Sequence, residues 1–195
     1  MHRSFIAIAA AGVTVLAAAP AVAAPATGAG APSARALHRT VASWPVFRPG
    51  DANEGVRTLQ YLIRGYQLGE GSAVPGAGIP ATGSFDKATE KAVTAFQGRR
   101  GLAQTGTVDT PMWNTINHDI STRPIGPGYP NAEFVKAAQN MVNRFSAKCG
   151  NKPLTLDGNF GPQTLASVKK VQECQGLGAD GIVGPSTFPT LVANY

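Results

Sequence analysis

The 195-residue chain holds few groups able to do covalent chemistry. Its three histidines, His2, His38 and His118, stand far apart. None has the His-x-x-x-His or histidine-plus-carboxylate spacing that holds zinc, so neither a metal nor any other cofactor is expected. The only cysteines are Cys149 and Cys174. In a chain whose first residues read as an export signal, an even pair points to a disulfide and not to a thiol nucleophile. Two carboxylates, Asp157 and Asp180, raise the question of glycan cleavage, which needs two acids held about 5–10 Å apart across a cleft. Each, however, sits in a turn before glycine, where a short acidic side chain satisfies local backbone donors. The aligned positions in the first half of the chain are Thr82 and Thr105, so a shared catalytic role fails. No catalytic residue is assigned, and enzyme activity is not expected.

What remains is noncovalent recognition by amides, hydroxyls and cations. The candidate ligand-binding set is Gln60, Arg99, Arg100, Gln139, Asn159, Lys169 and Asp180. Competing readings stand beside it. Gln60, Gln97, Gln139 and Gln172 could instead anchor nearby loop backbone. Arg99, Arg100, Lys169 and Lys170 could form a solvated face. Trp113 reads as core more readily than as a sugar platform.

These residues sit on a duplicated framework. Shifting the chain by 75 residues lays 82–116 on 157–191 without a gap, and ten of the 35 pairs are identical. Composition alone gives roughly two. Upstream the offset is 79 and places Val56 and Gln60 on Val135 and Gln139. The four extra residues of the first copy fall in the Gly- and Pro-rich stretch 67–81, where a surface loop tolerates length. Each copy reads as three helices. The first spans about 54–66 and 132–145, with Val56, Leu59, Leu62 and Ile63 on one stripe and Val135, Ala138, Met141 and Val142 on its counterpart. The second spans about 87–98 and 162–174, with Asp86 and Gly161 as N-caps and Pro162 at the first helical position. Gly101 and Gly176 stop it, each followed by a leucine able to return to the core. A short third helix centres on Trp113 or Phe188. Pro189 is tolerated only in a first turn, so the last helix should start near Thr187. The fold class expected is all-α, two tandem small three-helix bundles.

In this numbering the recurring pattern runs Val56-Arg-x-Leu-Gln60, Gly83-x-Phe85, Thr89, Ala92-Val93, Phe96-Gln97, Gly101-Leu102, Gly106-x-Val108 and Trp113. It returns as Gln139, Asp157-Gly-Asn-Phe-Gly-Pro162, Thr164, Val168, Gln172, Gly176-Leu177, Asp180-Gly-Ile-Val-Gly184, Thr187 and Phe188. The pattern resembles the peptidoglycan-binding domain found singly or in tandem in bacterial and phage wall-active proteins. Ala138, Val171, Phe188 and Pro189 depart from it. The resemblance implies small three-helix units and noncovalent attachment to peptidoglycan, with no catalysis. Peptidoglycan offers sugar hydroxyls, amides and stem-peptide carboxylates to such a reader.

The organisation expected is a signal peptide over 1–23, a linker over 24–49, a first repeat over 50–118, a second linker over 119–127 and a second repeat over 128–195. Residues 1–23 have a charged head, an apolar run of 15 residues and a small-residue cleavage pattern. That run is shorter than the roughly 20 residues of a spanning helix, so cleavage and secretion are expected, with cell-wall association and no membrane partner afterwards. The linker is rich in Ala, Pro and Gly and reads as a flexible spacer. Trp44 and Phe47 are its exceptions, expected to clasp the first repeat. The chain has a formal net charge of +6, 14% charged residues and 7% aromatic residues. Arg35, Arg39 and Arg48 put half of that excess on the linker. Export and the absence of a basic helix argue against nucleic acid as a partner, and the chain is expected to act as a monomer. The Cys149–Cys174 bridge would contribute about 3 kcal/mol by chain entropy. Glu70 and Arg99, at the aligned places, form a candidate ion pair. Two other functions stay open: a small wall hydrolase or hydrolase accessory, and a secreted protein-interaction module that reuses the fold.

Overall fold

A computed structural model describes residues 43–69, 78–193 and 195. The signal peptide, most of the linker and Glu70 lie outside the described residues. Six helices follow in order: α1 (Glu54–Gly69), α2 (Lys87–Arg99), α3 (Thr110–Thr122), α4 (Ala132–Arg144), α5 (Pro162–Cys174) and α6 (Thr187–Val192). The described residues carry no named strand, only three isolated antiparallel bridges, two of which, Phe47 with Val108 and Ile125 with Val183, tie the segment ahead of each repeat to its third helix. The all-α, duplicated architecture is as the repeat pattern implies.

Local chemistry sets the helix ends. The Asp86 side chain accepts from Thr89 N at 2.8 Å, and Asn131 caps α4 through Glu133 N and Phe134 N. Pro162 opens α5 behind Gly161, which makes no side-chain cap. Gly101 and Gly176 take φ of 67° and 70°, conformations that glycine adopts without steric cost. Behind them Leu102 N and Leu177 N each donate to the carbonyl five residues back at 2.8 Å, closing both helices alike. Leu102 then packs on the core, whereas Leu177 stays half-buried at the surface. Helix α6 begins at Thr187, which leaves Pro189 in its first turn. Helix α3 is longer than expected and runs to Thr122, four residues into the stretch read as the second linker. Its N-cap Asp109 and the early Pro111 start it, and Ile116 and Ile120 carry its buried face past the repeat boundary.

The repeats are not beads on a string. Both belong to one compact unit, and their buried apolar residues form one continuous core. Helices α1 and α4 pack against each other in antiparallel sense. At one end Arg64 Nε meets Glu133 Oε2 at 2.8 Å and Asn131 Nδ2 donates to Gly65 O at 2.8 Å. At the other, Asn140 Nδ2 donates to Thr58 Oγ1 at 2.9 Å and to Glu54 O at 3.1 Å. Two small residues on α1, Thr58 and Gly65, make this possible. A Cβ on Gly65 would lie 2.5 Å from the Phe134 ring of α4, whereas one on Gly55 would meet the Phe47 and Tyr195 rings at the chain ends instead. The sequence pattern placed one apolar stripe on each first helix, but these helices bury two faces. One faces the helix's own bundle and the other faces the neighbouring repeat.

The two chain ends of this unit seal the same assembly. Trp44 stacks on Trp113 with ring centroids 6.0 Å apart and donates from Nε1 to Asn114 Oδ1 at 2.9 Å. Trp113 is fully buried and donates to Pro45 O at 2.8 Å. The expected clasp is present, and Trp44 also meets Phe188 of the second repeat. Tyr195 reaches back to Thr58, hydroxyl to hydroxyl at 2.6 Å. Cys149 and Cys174 form a disulfide that joins the turn after α4 to the end of α5.

Candidate recognition surfaces and the inter-repeat pocket

Four buried glutamines organise the loops beside any recognition surface. Each uses one side-chain amide as a two-sided strut, its oxygen accepting from a glycine N–H and its NH2 donating back to loop acceptors. Gln60 Oε1 accepts from Gly83 N at 2.9 Å while its Nε2 reaches Ser84 O and Thr89 Oγ1, both at 2.9 Å. Gln139 repeats this with Gly158 N, Asn159 O and Thr164 Oγ1. Gln97 does so with Gly106 N and Thr107 O, and Gln172 with Gly181 N, Ile182 O and Thr187 Oγ1. Gln60 and Gln139 thus anchor their loops, the second of the two roles their recurrence allows. Their amides are buried at 0% and 1% exposure and already paired with protein, so a ligand could reach them only at the cost of those bonds.

The second repeat adds an acidic residue to each strut. Asp157 Oδ1 accepts from Gln139 Nε2 at 2.7 Å and from Asn159 N at 2.8 Å. The Gln139 bond, and then the Asn159 amide, lower its pKa below the usual carboxylate value. Asp180 Oδ1 likewise accepts from Gln172 Nε2 at 2.7 Å and Ile182 N at 2.8 Å. Thr105 stands in for Asp180 in the first repeat, accepting from Gln97 Nε2 at 3.1 Å. Both carboxylates therefore serve turn geometry, as their position before glycine predicts.

The remaining candidates are dispersed. Asn159 is exposed and lines a shallow groove of about 420 Å³ at the start of α5, with Leu154, Thr155, Gln163 and others. Lys169 and Asp180 are exposed and line neither that groove nor the pocket described next. Lys169 lies along Gly181, against which a Cβ would meet its stem at 3.1 Å. Arg99 is exposed at the end of α2. Its neighbour Arg100 is half-buried and turns into a pocket between the repeats.

That pocket, about 280 Å³, opens where the end of α1, the end of α3 and the start of α4 converge. Arg100 lies over the Tyr66 ring at 5.0 Å and over Phe96 at 5.4 Å, and its Nη2 is 3.2 Å from Asp119 Oδ2. Burial first, then the Asp119 charge beside it, pushes the Tyr66 phenol far above its ordinary value. Burial also raises that of Tyr129. Arg123, Tyr129 and Phe134 complete the working wall. Sequence reading singled out Arg100 alone. Asp119 and Arg123 sit in the stretch read as the second linker, where their charges cancel, and no local pattern links them to Tyr66, some fifty residues earlier. The signals that were there, two aromatics and two opposite charges near a repeat boundary, have no spacing rule to join them. No group of metal-binding residues occurs among the described residues. None of their helices is long and apolar enough to cross a membrane.

Comparison with known proteins agrees with the architecture. A family described as "Putative peptidoglycan binding domain" matches residues 52–116 and again 131–191, together well over half the chain. The chain is 61% identical over 36 residues to an uncharacterized protein of Kitasatospora aureofaciens, covering 18% of this chain and 30% of that protein. It is 57% identical over 35 residues to a zinc D-Ala-D-Ala carboxypeptidase of Streptomyces albus G, covering 18% of this chain and 14% of the enzyme. It is also 32% identical over 112 residues to a probable N-acetylmuramoyl-L-alanine amidase of Bacillus licheniformis, covering 57% of this chain and 29% of that one. The chain thus spans less than a third of the length of each of these relatives. No solved structure matches it. With both copies of the helical pattern matched and each built on the same glutamine–glycine struts, the chain belongs to the peptidoglycan-binding domain family and carries that domain twice in tandem.

Proposed function

We propose that this is a secreted, monomeric, non-catalytic protein that attaches noncovalently to bacterial cell wall through its tandem repeats. The tandem family match carries the reading. The hydrogen bonds that engage Asp157 and Asp180 in their own turns support the absence of a catalytic acid pair. In this reading a signal peptide over 1–23 and a spacer over 24–49 precede repeats over 50–118 and 128–195. The spacer's arginines draw the chain weakly toward an anionic envelope. Arg99, Asn159, Lys169 and Asp180 supply exposed polar contacts, and the glutamine struts hold the loops that display Asn159 and Asp180. Wall-cutting enzymes appear among the relatives by name, which favours a second reading as an accessory to a separate hydrolase.

Sedimentation with purified sacculi tests the main reading. The mature chain should pellet with the sacculi and leave them intact. Recovery of all the protein in the supernatant overturns it, and clearing of the sacculi overturns its non-catalytic part.

A further inference from the structure

We infer that the pocket between the repeats is a binding site for a short peptide ending in a free carboxylate. Tyr66 is the first observation. It is only 6% exposed, and its hydroxyl, on the pocket wall, faces the Asp119 carboxylate outside ordinary hydrogen-bond geometry, which leaves both that hydroxyl and Asp119 Oδ2 without a well-formed hydrogen bond in the protein. A buried hydroxyl left in that state is costly, and a polar ligand would relieve the cost. Charge is the second. The pocket is lined by two guanidinium groups, of Arg100 and Arg123, and one carboxylate, of Asp119. Asp119 pairs with Arg100, while Arg123 makes no ion pair among the described residues. The net positive charge falls at Arg123 and suits a monoanion. A planar carboxylate matches a guanidinium fork, with the Tyr66 and Tyr129 hydroxyls as further donors.

Shape narrows the ligand class. A sugar would stack on an open aromatic face, but Tyr66 is already packed by Phe96 and Phe134, with centroids at 5.0 Å each, and by Arg100. The volume of about 280 Å³ corresponds to roughly nine waters at ~30 Å³ each, enough for a dipeptide-sized group. Beside the polar groups, Phe134 and Ile120 form an apolar wall for a small side chain. The pocket exists only where the two repeats meet, so a single repeat lacks it. The inference deepens the wall-binding reading and rests on it for the ligand's source, the stem peptides of the wall.

The test titrates the mature chain with N-acetyl-alanyl-alanine as the free acid and as the C-terminal amide, followed by amide chemical shifts. The acid should bind, the amide at least about tenfold more weakly, and Arg123→Ala should weaken the acid about tenfold while leaving the thermal midpoint unchanged. Equal affinities for acid and amide, no binding of the acid, or an unaltered Arg123→Ala variant overturns the site. Sacculus sedimentation run in parallel separates the two claims. Acid-selective binding without pelleting overturns the wall reading and leaves the site standing, whereas pelleting without acid selectivity overturns the site alone.

Discussion

Replacing Gln172 with methionine is the sharpest test of the strut principle. The substitution keeps the length and near-volume of the side chain, so the core around it stays filled. It removes an acceptor for Gly181 N at 2.8 Å and donors to Asp180 Oδ1 at 2.7 Å, Thr187 Oγ1 at 2.9 Å and Ile182 O at 3.0 Å. Asp180 is exposed and regains water. Gly181 and Thr187 are buried, and an abandoned buried donor or acceptor costs about 1–3 kcal/mol. Two such groups plus the ordinary worth of the Ile182 bond give about 3–7 kcal/mol of destabilisation. For a unit of this size that lowers Tm by roughly 10–20 °C. Urea unfolding should show the same loss in midpoint with an unchanged slope. The lost loop geometry should also move the amide resonances of residues 180–182. A destabilisation under about 1 kcal/mol would refute the argument, because it would mean that the loop finds equivalent partners without the glutamine.

Three further substitutions test packing and burial. In an open helix Gly65→Ala would gain about 0.5–1 kcal/mol from propensity, but here the new Cβ meets the Phe134 ring at 2.5 Å. Overpacking of about 1–3 kcal/mol should win, giving net destabilisation in thermal unfolding. Gly98→Ala, which meets only the flexible Gln104 side chain at 3.1 Å, should be neutral to stabilising. Tyr195→Phe addresses the alkaline limb. Burial pushes the Tyr195 phenol up to about 12 from its ordinary 10.0. A raised folded-state pKa keeps its stabilisation below pH 10 and loses it as pH rises from about 10 to 12. Unfolding midpoints followed over that window should fall less steeply for the variant than for the parent, and parallel curves would contradict the assignment. Tyr66 is present in both proteins, so the comparison isolates Tyr195. At neutral pH the variant loses the Thr58 hydrogen bond, about 1 kcal/mol.

Much of this molecule is local in origin and therefore legible along the chain. Helix stripes such as Val56, Leu59 and Ile63 follow a 3.6 period, the glycine stops at Gly101 and Gly176 follow backbone sterics, and Asp86 caps its own helix. The disulfide follows from an even cysteine pair. The late start of α6 follows from Pro189. The glutamine struts lay half within reach. Their recurrence was visible and a loop-anchoring role was one of the two readings, but burial of Gln60 at 0% exposure depends on how the loop folds over the helix.

The inter-repeat pocket was not legible, for a physical reason. Sequence alone determined two copies of a three-helix unit, their caps, their disulfide and the family they resemble, because each of these rests on residues a few positions apart or on one register repeated. Only the tertiary structure decided that α1 and α4 bury a second face against each other. That face uses the small residues Thr58 and Gly65, one bonding Asn140 and the other leaving room for the Phe134 ring, and neither gives a hydropathic signal. The pocket at its edge gathers Tyr66, Arg100, Asp119 and Tyr129 from four segments. Their meeting is set by the crossing of two helices, a property of packed surfaces that no spacing along the chain encodes.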